Sequence, residues 1–494
     1  MASVLPRPRP APDDLVPQAM FEAREAQRSW GALPVPDRLA VVRAFRHLLP
    51  RAAGELLRAS RAGQTGQKRG AEILSSEILP LAEACRFVER EAVQLLAPER
   101  LPIEGRPLWM GGIEILVRRE PLGVVLILAP SNYPLFLPGA QVIQALTAGN
   151  AVLLKPGREG GAAARALAGL LATAGLPPHL LTLLPESDAA GREAIAAGPD
   201  RVLLTGSAVT GREVLADLAP ALIPATLELS GCDALFLLPD CREADLDRAA
   251  LALRFALTLN EGATCIAPRQ VFVPRRQSAA FEERLRRLAA SLPPAAVPAA
   301  TARLVRELAS EALAQGARRI SGALGEGEPF TPLILAGVKP GLRLLRTDLF
   351  APVLALVEVE GTADALAAAE LCPYALGASI FGPEREALAF AARVRAGVVT
   401  VNDLIVPTAD PRLPFGGRGW SGYGTTRGAL GLLELTAVKA VAVRRGRWLP
   451  HLEEPRAGDD ALFLAYLTLV HSAGWRSRLA GLRALIRCLV HRRK

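Results

Sequence analysis

The chain has 494 residues, half of them hydrophobic, which fits about two to four folded domains and excludes a disordered or fibrous protein. Its formal net charge is +9, from 58 Lys and Arg against 49 Asp and Glu, but basic residues do not alternate with aromatic ones, so nucleic acid is not a predicted partner. The six cysteines form no CxxC pair and the five histidines show no ligand spacing, which predicts neither a disulfide framework nor a metal site.

The N-terminal region predicts helices and no targeting signal. Residues 1–10 lack the continuous apolar stretch of a signal peptide, so we expect a reducing, cytoplasmic location. Residues 14–95 follow a mostly helical pattern, with Arg and Glu on the polar faces.

The uncharged stretch from Pro121 to Leu154 is long enough to span a bilayer, but prolines and asparagines interrupt it. Two short apolar strands around a helix explain it better, because strands of a parallel sheet are apolar on both faces. The predicted elements are a strand over 122–129, a loop over 130–134, a helix from near Pro138 and a strand over 151–154.

Strands and helices continue to alternate up to residue 229, and the pattern restarts after Asp240. Repeated β-α-β units predict doubly wound α/β sheets. The predicted strands are 179–184, 201–204, 223–229 and 270–273, and the predicted helices are 160–174, 189–197, from about 210, 245–259 and 278–292. A further strand over 438–444 is expected to pair with 113–118.

The C-terminal tail differs from the rest of the chain. After an apolar run over Ala461–Val470, residues 475–494 carry seven Lys or Arg and no acid, with apolar residues at helical spacing. This pattern predicts a basic amphipathic helix. Such a helix lies on an anionic membrane surface, docks on a partner, or packs on its own domain with a solvated Arg face.

Three residues could carry chemistry. Cys265 follows a helix in a loop and is either a nucleophile or a small buried hydrophobe. Glu228 lies in an apolar strand, where burial raises the pKa of a carboxyl and suits it to act as a general base, unless it forms a core salt bridge. Asn132, in a loop bracketed by prolines, is either an oxyanion donor or a turn residue.

Two further features suit a phosphorylated cofactor. Thr205–Gly211 follows a strand and opens a helix, where backbone N–H groups can hold a pyrophosphate, although it is not a GxGxxG motif. Lys155 ends a buried strand, where a cation needs a specific reason to be present.

Taken together and in order, these segments resemble the aldehyde dehydrogenase superfamily from about residue 120 to 445. The spacing is similar to that of its shorter branch, which acts on fatty and aromatic aldehydes. The matching segments are Pro130–Pro134, Ala148–Pro156, Leu204–Gly211, Leu227–Gly231, Gly262–Arg269, Arg346–Pro352, Val401–Asn402 and Pro414–Gly424.

The resemblance implies a domain organisation. Residues 1–112 and 119–229 would form the N-terminal helices and the dinucleotide-binding domain, and residues 230–410 the catalytic domain. Residues 113–118 and 425–446 would form a small β arm that joins a homodimer or a higher homo-oligomer, and residues 447–494 the tail.

The resemblance also implies chemistry. Cys265 would attack an aldehyde, the Asn132 amide would hold the oxyanion, and Glu228 would activate the water that releases the acid. The cofactor would be NAD or NADP, with Lys155 at the adenine ribose and Asp348 and Phe350 at the nicotinamide end. The remaining cofactor-binding residues would be Arg158, Gly206, Ser207, Gly211 and Leu229.

Departures from the family pattern surround these residues. Arg158 replaces the usual acidic residue and predicts that NADP is accepted at least as well as NAD. Asp348 replaces the usual Glu, which predicts slower turnover. Ser131, Ser230, Ala263 and Ala351 are further replacements.

Because Cys265, Glu228 and Asn132 are retained, an active enzyme is favoured. The alternatives are a CoA-acylating enzyme and a catalytically weak scaffold on the same fold. Besides the aldehyde, a membrane surface is one possible contact, through residues 475–494.

Overall fold

In this computed structural model, the described residues are 15–62, 69–107, 110–325, 330–445, 449–454 and 456–491. Helices α1 to α16 are, in chain order, Leu15–Ala32, Val35–Arg61, Gly70–Ile73, Leu79–Leu95, Phe136–Thr147, Gly161–Thr173, Asp188–Ala196, Ala208–Leu218, Glu243–Thr258, Arg275–Ala289, Ala299–Ala314, Thr362–Glu370, Glu384–Ala391, Gly428–Glu434, Asp459–His471 and Trp475–His491. A π-helical turn, Leu74–Ile78, joins α3 to α4.

Strands β1 to β18 are, in chain order, Glu99–Arg100, Ile113–Pro121, Val124–Leu128, Ala151–Lys155, Leu181–Leu183, Arg201–Gly206, Ala225–Leu229, Asp233–Leu237, Pro268–Pro274, Arg318–Ser321, Leu333–Ala336, Val353–Val359, Tyr374–Ala375, Gly377–Phe381, Val398–Val401, Arg418–Gly419, Gly422–Tyr423 and Thr436–Arg444. Most residues of the strands at the centres of the sheets are apolar and buried, as expected for parallel strands that are covered on both faces, although β9 also buries Arg269 and Gln270.

Two open sheets confirm the predicted α/β architecture. The first has the order β17-β7-β6-β3-β4-β5, in which only the edge strand β17 is antiparallel to its neighbour among the described strands. The second has the order β10-β11-β12-β9-β8-β14-β15 and is parallel except at β10. The chain passes from the first sheet to the second between Leu229 and Asp233. The roles of the two sheets in dinucleotide binding and in catalysis stay predictions.

Helix α5 begins at Phe136, two residues before Pro138, near which the sequence pattern predicted its start. The buried carboxylate of Glu77 stabilises this helix start, because its Oε2 accepts hydrogen bonds from the backbone N–H groups of Leu135, at 2.8 Å, and Phe136, at 3.4 Å. An acidic group at a helix N-terminus satisfies otherwise unpaired donors, and proline is tolerated in the first turn.

By contacts, the chain divides into two compact units, Met1–Glu99 with Val117–Ala440 and Arg100–Leu116 with Val441–Lys494. The expected pairing of 438–444 with 113–118 is present, since β2 lies beside β18. The tail forms α15 and α16, and within the described residues none of the helices combines the length and apolar character that a membrane crossing requires.

Candidate active site

A cavity of about 520 Å³ opens at the carboxyl ends of β3, β4, β6 and β7. This edge is where ligands bind in doubly wound sheets. The cavity brings together most of the predicted site residues: Asn132, Lys155, Arg158, Gly206, Ser207, Glu228, Cys265, Asp348 and Phe350.

The loop that carries Cys265 is held from two sides. Gly262 has a φ of +78°, and a Cβ there would lie 2.5 Å from the backbone nitrogen of Pro352, so only glycine fits without displacement. The buried guanidinium of Arg269 donates from Nη2 to the Gly262 carbonyl, at 2.5 Å, and from Nε to the Leu349 carbonyl, at 2.9 Å. The position of Cys265 is therefore fixed relative to the segment before β12.

Asn132 lies in the loop between β3 and α5, and that loop is bonded to the Cys265 loop. Its Nδ2 donates to the Ala263 carbonyl at 2.9 Å, and Asn260 Nδ2 donates to the Asn132 carbonyl at 3.1 Å. The hydroxyls of Tyr133 and Thr264 lie 2.6 Å apart. The Asn132 amide is thus held against the turn that precedes Cys265.

Glu228 is 3% exposed and lies in β7, in register with Thr205 of β6 and Gly422 of β17. Its Oε2 accepts a hydrogen bond from Thr426 Oγ1 at 2.9 Å, whereas Oε1 has no hydrogen-bond partner among the described residues. Burial raises the pKa of this carboxyl, and the Arg427 charge and the Thr426 hydroxyl oppose the rise. A carboxyl that has a raised pKa and one oxygen without a hydrogen-bond partner among the described residues suits a general base.

Arg427 is a buried cation beside these groups. Its Nη1 donates to the Thr408 carbonyl at 2.6 Å, and its guanidinium lies 4.1 Å from the ring centroid of Phe415. Burial lowers the pKa of Arg427, and the charges of Glu228 and Cys265 oppose this. Arg427 was not among the predicted site residues, and the signal that could have indicated it is a cation three residues after the Gly-rich segment Pro414–Gly424.

The surroundings of Cys265 favour its neutral thiol over the thiolate. Burial raises its pKa, the carboxylates of Glu228 and Asp233 raise it further, and Arg427 lowers it. The thiolate and not the thiol is the nucleophile, so a nearby base is needed.

At the far end of the cavity, two cations share one carboxylate. Lys155 Nζ lies 3.6 Å from Asp188 Oδ1, and Arg158 Nη2 lies 3.5 Å from Asp188 Oδ2. Arg158 is largely exposed, so its charge is open to a ligand. Asp188 was not predicted, because it comes from α7 and only folding brings it to these cations.

The walls beside this end come from one face of α7 and one face of α8. The lining residues of these two helices include apolar or small ones, Gly191, Ile195 and Val214, and charged ones, Arg192, Glu213 and Asp217. Thr301 and Leu304 of α11 also line the cavity and were not predicted.

The N-terminus of α8 also faces the cavity. Ser207 caps this helix by accepting a hydrogen bond from the Thr210 N–H at 3.1 Å, and Gly206 ends β6 directly before it. Gly211 and Leu229 do not line the cavity. A Cβ at Gly211 would lie 2.6 Å from the Leu229 side chain, so this pair determines how closely α8 approaches β7.

Asp348 and Phe350 line the cavity from the segment between the Arg343–Arg346 turn and β12. Burial raises the pKa of the Asp348 carboxyl, which the charge of Arg269 opposes. Within the described residues, no group of three or more His, Cys, Asp or Glu is arranged to hold a metal ion.

The sequence profile of the aldehyde dehydrogenase family matches residues 4–441. A protein of Mycolicibacterium smegmatis with the provisional name succinate-semialdehyde dehydrogenase (NADP+) is 34% identical over 87% of this chain and 84% of its own length. The 4,4′-diapolycopene aldehyde oxidase of Methylomonas sp. is 30% identical over 88% of this chain and 84% of its own length.

A solved structure shows the same fold. The aldehyde dehydrogenase of Mycobacterium tuberculosis in complex with NAD+ has a TM-score of 0.80 and 26% identity, over 89% of this chain and 92% of that one. The NADP-dependent glyceraldehyde-3-phosphate dehydrogenase of Bacillus halodurans, in complex with NADP, has a TM-score of 0.79 and 25% identity, over 87% of this chain and 91% of that one.

Proposed function

The chain belongs to the aldehyde dehydrogenase family, and we propose that it oxidises an aldehyde to a carboxylic acid with NAD or NADP through a covalent intermediate on Cys265. One observation carries the proposal. Cys265, Glu228 and Asn132 line the same cavity as the residues suited to a dinucleotide.

The cavity fits a dinucleotide in size and chemistry. Its volume lies within the range of cofactor sites, the α8 N-terminus offers N–H groups to a pyrophosphate, and Ile195 and Val214 offer apolar contacts to a ring. Lys155 would bind the adenine ribose, and Asp348 and Phe350 the nicotinamide end. When bound, NAD or NADP accepts a hydride at its nicotinamide ring.

In the first half-reaction, Glu228 Oε1 accepts the Cys265 thiol proton, and the sulfur forms a bond to the aldehyde carbon. The carbonyl π electrons move to the oxygen, which becomes an oxyanion. Asn132 has two amide N–H groups and would donate one to this oxygen, together with the Cys265 backbone N–H. The rigid contacts at Ala263 and Asn260 keep that donor in place.

Loss of hydride from the adduct leaves a thioester on Cys265. Glu228 then releases the thiol proton to solvent and is again a carboxylate. In the second half-reaction, Glu228 takes a proton from water as the water oxygen bonds to the acyl carbon, and the Cys265 thiolate leaves. The open Oε1 of Glu228 favours water over CoA as the acyl acceptor, because a positioned carboxylate is what hydrolysis requires and thiolysis does not.

The cofactor preference rests on Arg158. Its fork of N–H donors matches a phosphate, and Asp188 already holds it beside Lys155, so we propose that NADP is accepted at least as well as NAD. The NADP in the name of the mycobacterial relative supports this preference.

The test is the formation of reduced cofactor by the purified chain with NAD and NADP in parallel, over short, long and aromatic aldehydes and succinate semialdehyde. Cys265→Ala should abolish turnover but still bind cofactor, seen as quenching of protein fluorescence. Cys241→Ala, a half-buried cysteine outside the cavity, is the matched control and should keep activity.

Two outcomes would contradict the proposal. Turnover that survives in Cys265→Ala would exclude the covalent intermediate. A strict requirement for CoA, with an acyl-CoA product, would replace hydrolysis by acyl transfer.

A further inference from the structure

Helices α15 and α16 form an antiparallel pair, and small residues lie where the two helices contact each other. Ala465 and Gly481 are the buried residues of the two helices, and a Cβ at Gly481 would collide with the backbone nitrogen of Leu469. Arg478 Nε closes the connection by donating to the Ser472 carbonyl at 2.7 Å. The two backbones are therefore in close contact, with no large side chain between them at this point.

Large apolar side chains point away from this contact. They are between 38 and 70% exposed: Phe463, Leu464 and Leu467 on α15, and Trp475, Leu479, Leu482, Ile486, Leu489 and Val490 on α16. A helix pair in water normally buries its large apolar residues in the interface. Small residues at the contact with large ones outside are typical of helices that meet lipid.

The charged residues of the two helices are also separated, with arginines along α16 and the acidic residues at the start of α15. Arg476, Arg483 and Arg487 recur at spacings of seven and four residues, so they form one row along the edge of the apolar face of α16. No carboxylate of the described residues pairs with any of the three. Asp459 and Asp460 are the acidic residues of the two helices, and both lie in the first turn of α15.

We propose that this helix pair docks on the surface of a membrane that contains anionic lipids. The apolar face of α16 lies at the boundary between headgroups and acyl chains, with Trp475 at one end, and the arginine row binds lipid phosphates. Neither helix crosses the membrane, in agreement with the lengths of 13 and 17 residues.

Charge complementarity selects this occupant over a second copy of the chain. A symmetric dimer through α16 would place two unpaired arginine rows against each other, which costs free energy. A nucleic acid would satisfy the arginines but leave the apolar face in water.

The test is cosedimentation of the full chain with vesicles of phosphatidylcholine alone or with phosphatidylglycerol added. Binding should require the anionic lipid and weaken as salt is added. Arg476→Gln with Arg483→Gln and Arg487→Gln should weaken it about 100-fold, because each basic residue near an anionic surface contributes about 1 kcal/mol and 1.4 kcal/mol is tenfold.

A charge-matched control, Arg286→Gln with Arg287→Gln and Arg385→Gln, removes three exposed charges elsewhere and should bind as the unmodified chain does. Trp475 emission should shift to the blue on anionic vesicles, and Trp475→Phe should lose that shift. No binding of the unmodified chain, or equal loss in both triple variants, would overturn the proposal. So would a dimer, seen in sedimentation velocity, that Ile486→Gln dissociates.

Discussion

The hydrogen bond from Thr426 to Glu228 predicts a shift in the pH dependence of turnover. In Thr426→Val, which keeps the shape of the side chain, the ionised carboxylate loses its donor at 2.9 Å while burial is unchanged. The substitution destabilises the protonated carboxyl less, because that form loses only a hydrogen bond between neutral groups. The Thr426 hydroxyl lies 3.2 Å from the Phe415 carbonyl, so it can donate to that carbonyl while it accepts a hydrogen bond from protonated Glu228.

The magnitude follows from the difference between the two forms. A hydrogen bond to a charged group is worth about 1.5–3 kcal/mol and one between neutral groups about 1 kcal/mol, so the ionised form loses about 1.4 kcal/mol more. The variant therefore raises the pKa of Glu228 further. At a pH where Glu228 is mostly protonated, kcat/KM should fall about tenfold, while at high pH it should approach the unmodified value.

The assay is kcat/KM against pH at saturating cofactor, with a short aldehyde as the substrate. In the proposed mechanism, this parameter includes the step in which Glu228 takes the Cys265 proton. Thr426→Ser keeps the hydroxyl and should retain the unmodified profile. An acid limb that does not move in the Val variant, or moves as far in the Ser variant, would refute the assignment of Glu228 as the base.

Three further predictions concern the cofactor, the Cys265 loop and stability. Arg158→Gln should lower kcat/KM for NADP about tenfold and leave that for NAD nearly unchanged, because a charged bond to phosphate is lost; equal losses would contradict the contact. Gly262→Ala should lower the free energy of unfolding by about 1–3 kcal/mol, as its Cβ meets the Pro352 backbone at a positive φ, and an unchanged denaturation midpoint would count against this reasoning. Glu228→Gln should raise Tm at neutral pH. The pKa of Glu228 is raised in the folded state, so the folded state binds this proton more tightly than the unfolded state does. The stability that this proton contributes is complete below the unfolded pKa, of about 4.3, and is lost as the pH rises through the folded pKa. The gain in Tm should shrink towards pH 4, and a constant gain would argue against a buried charge.

Much of the architecture was predictable from local pattern. The apolar runs of β3 and β4, each bounded by a turn, predicted a parallel sheet, and the structure contains both strands side by side. The group that caps α5 was not predictable, because it is the carboxylate of Glu77, 58 residues before Leu135. Periodicity reports which face of an element is apolar and does not report which distant group completes its ends.

The candidate site was also predictable only in part. Cys265, Glu228 and Asn132 were found from residue type, local context and motif order, and all three line one cavity. The pairing of Asp188 with Lys155 and Arg158 was missed, since α7 meets the end of β4 only in the folded chain.

The sequence by itself determined the α/β class, the family and the residue types at the candidate site, because these depend on local periodicity and on the order of short motifs. Only the tertiary structure decided the electrostatic environment of those residues. Thr426 is 198 positions from the carboxylate to which it donates, and the charge of Arg427 acts on that carboxylate and on Cys265 from the same turn. Burial and the partners that accompany it set the pKa of each group, and both arise from contacts between segments that are remote in the chain.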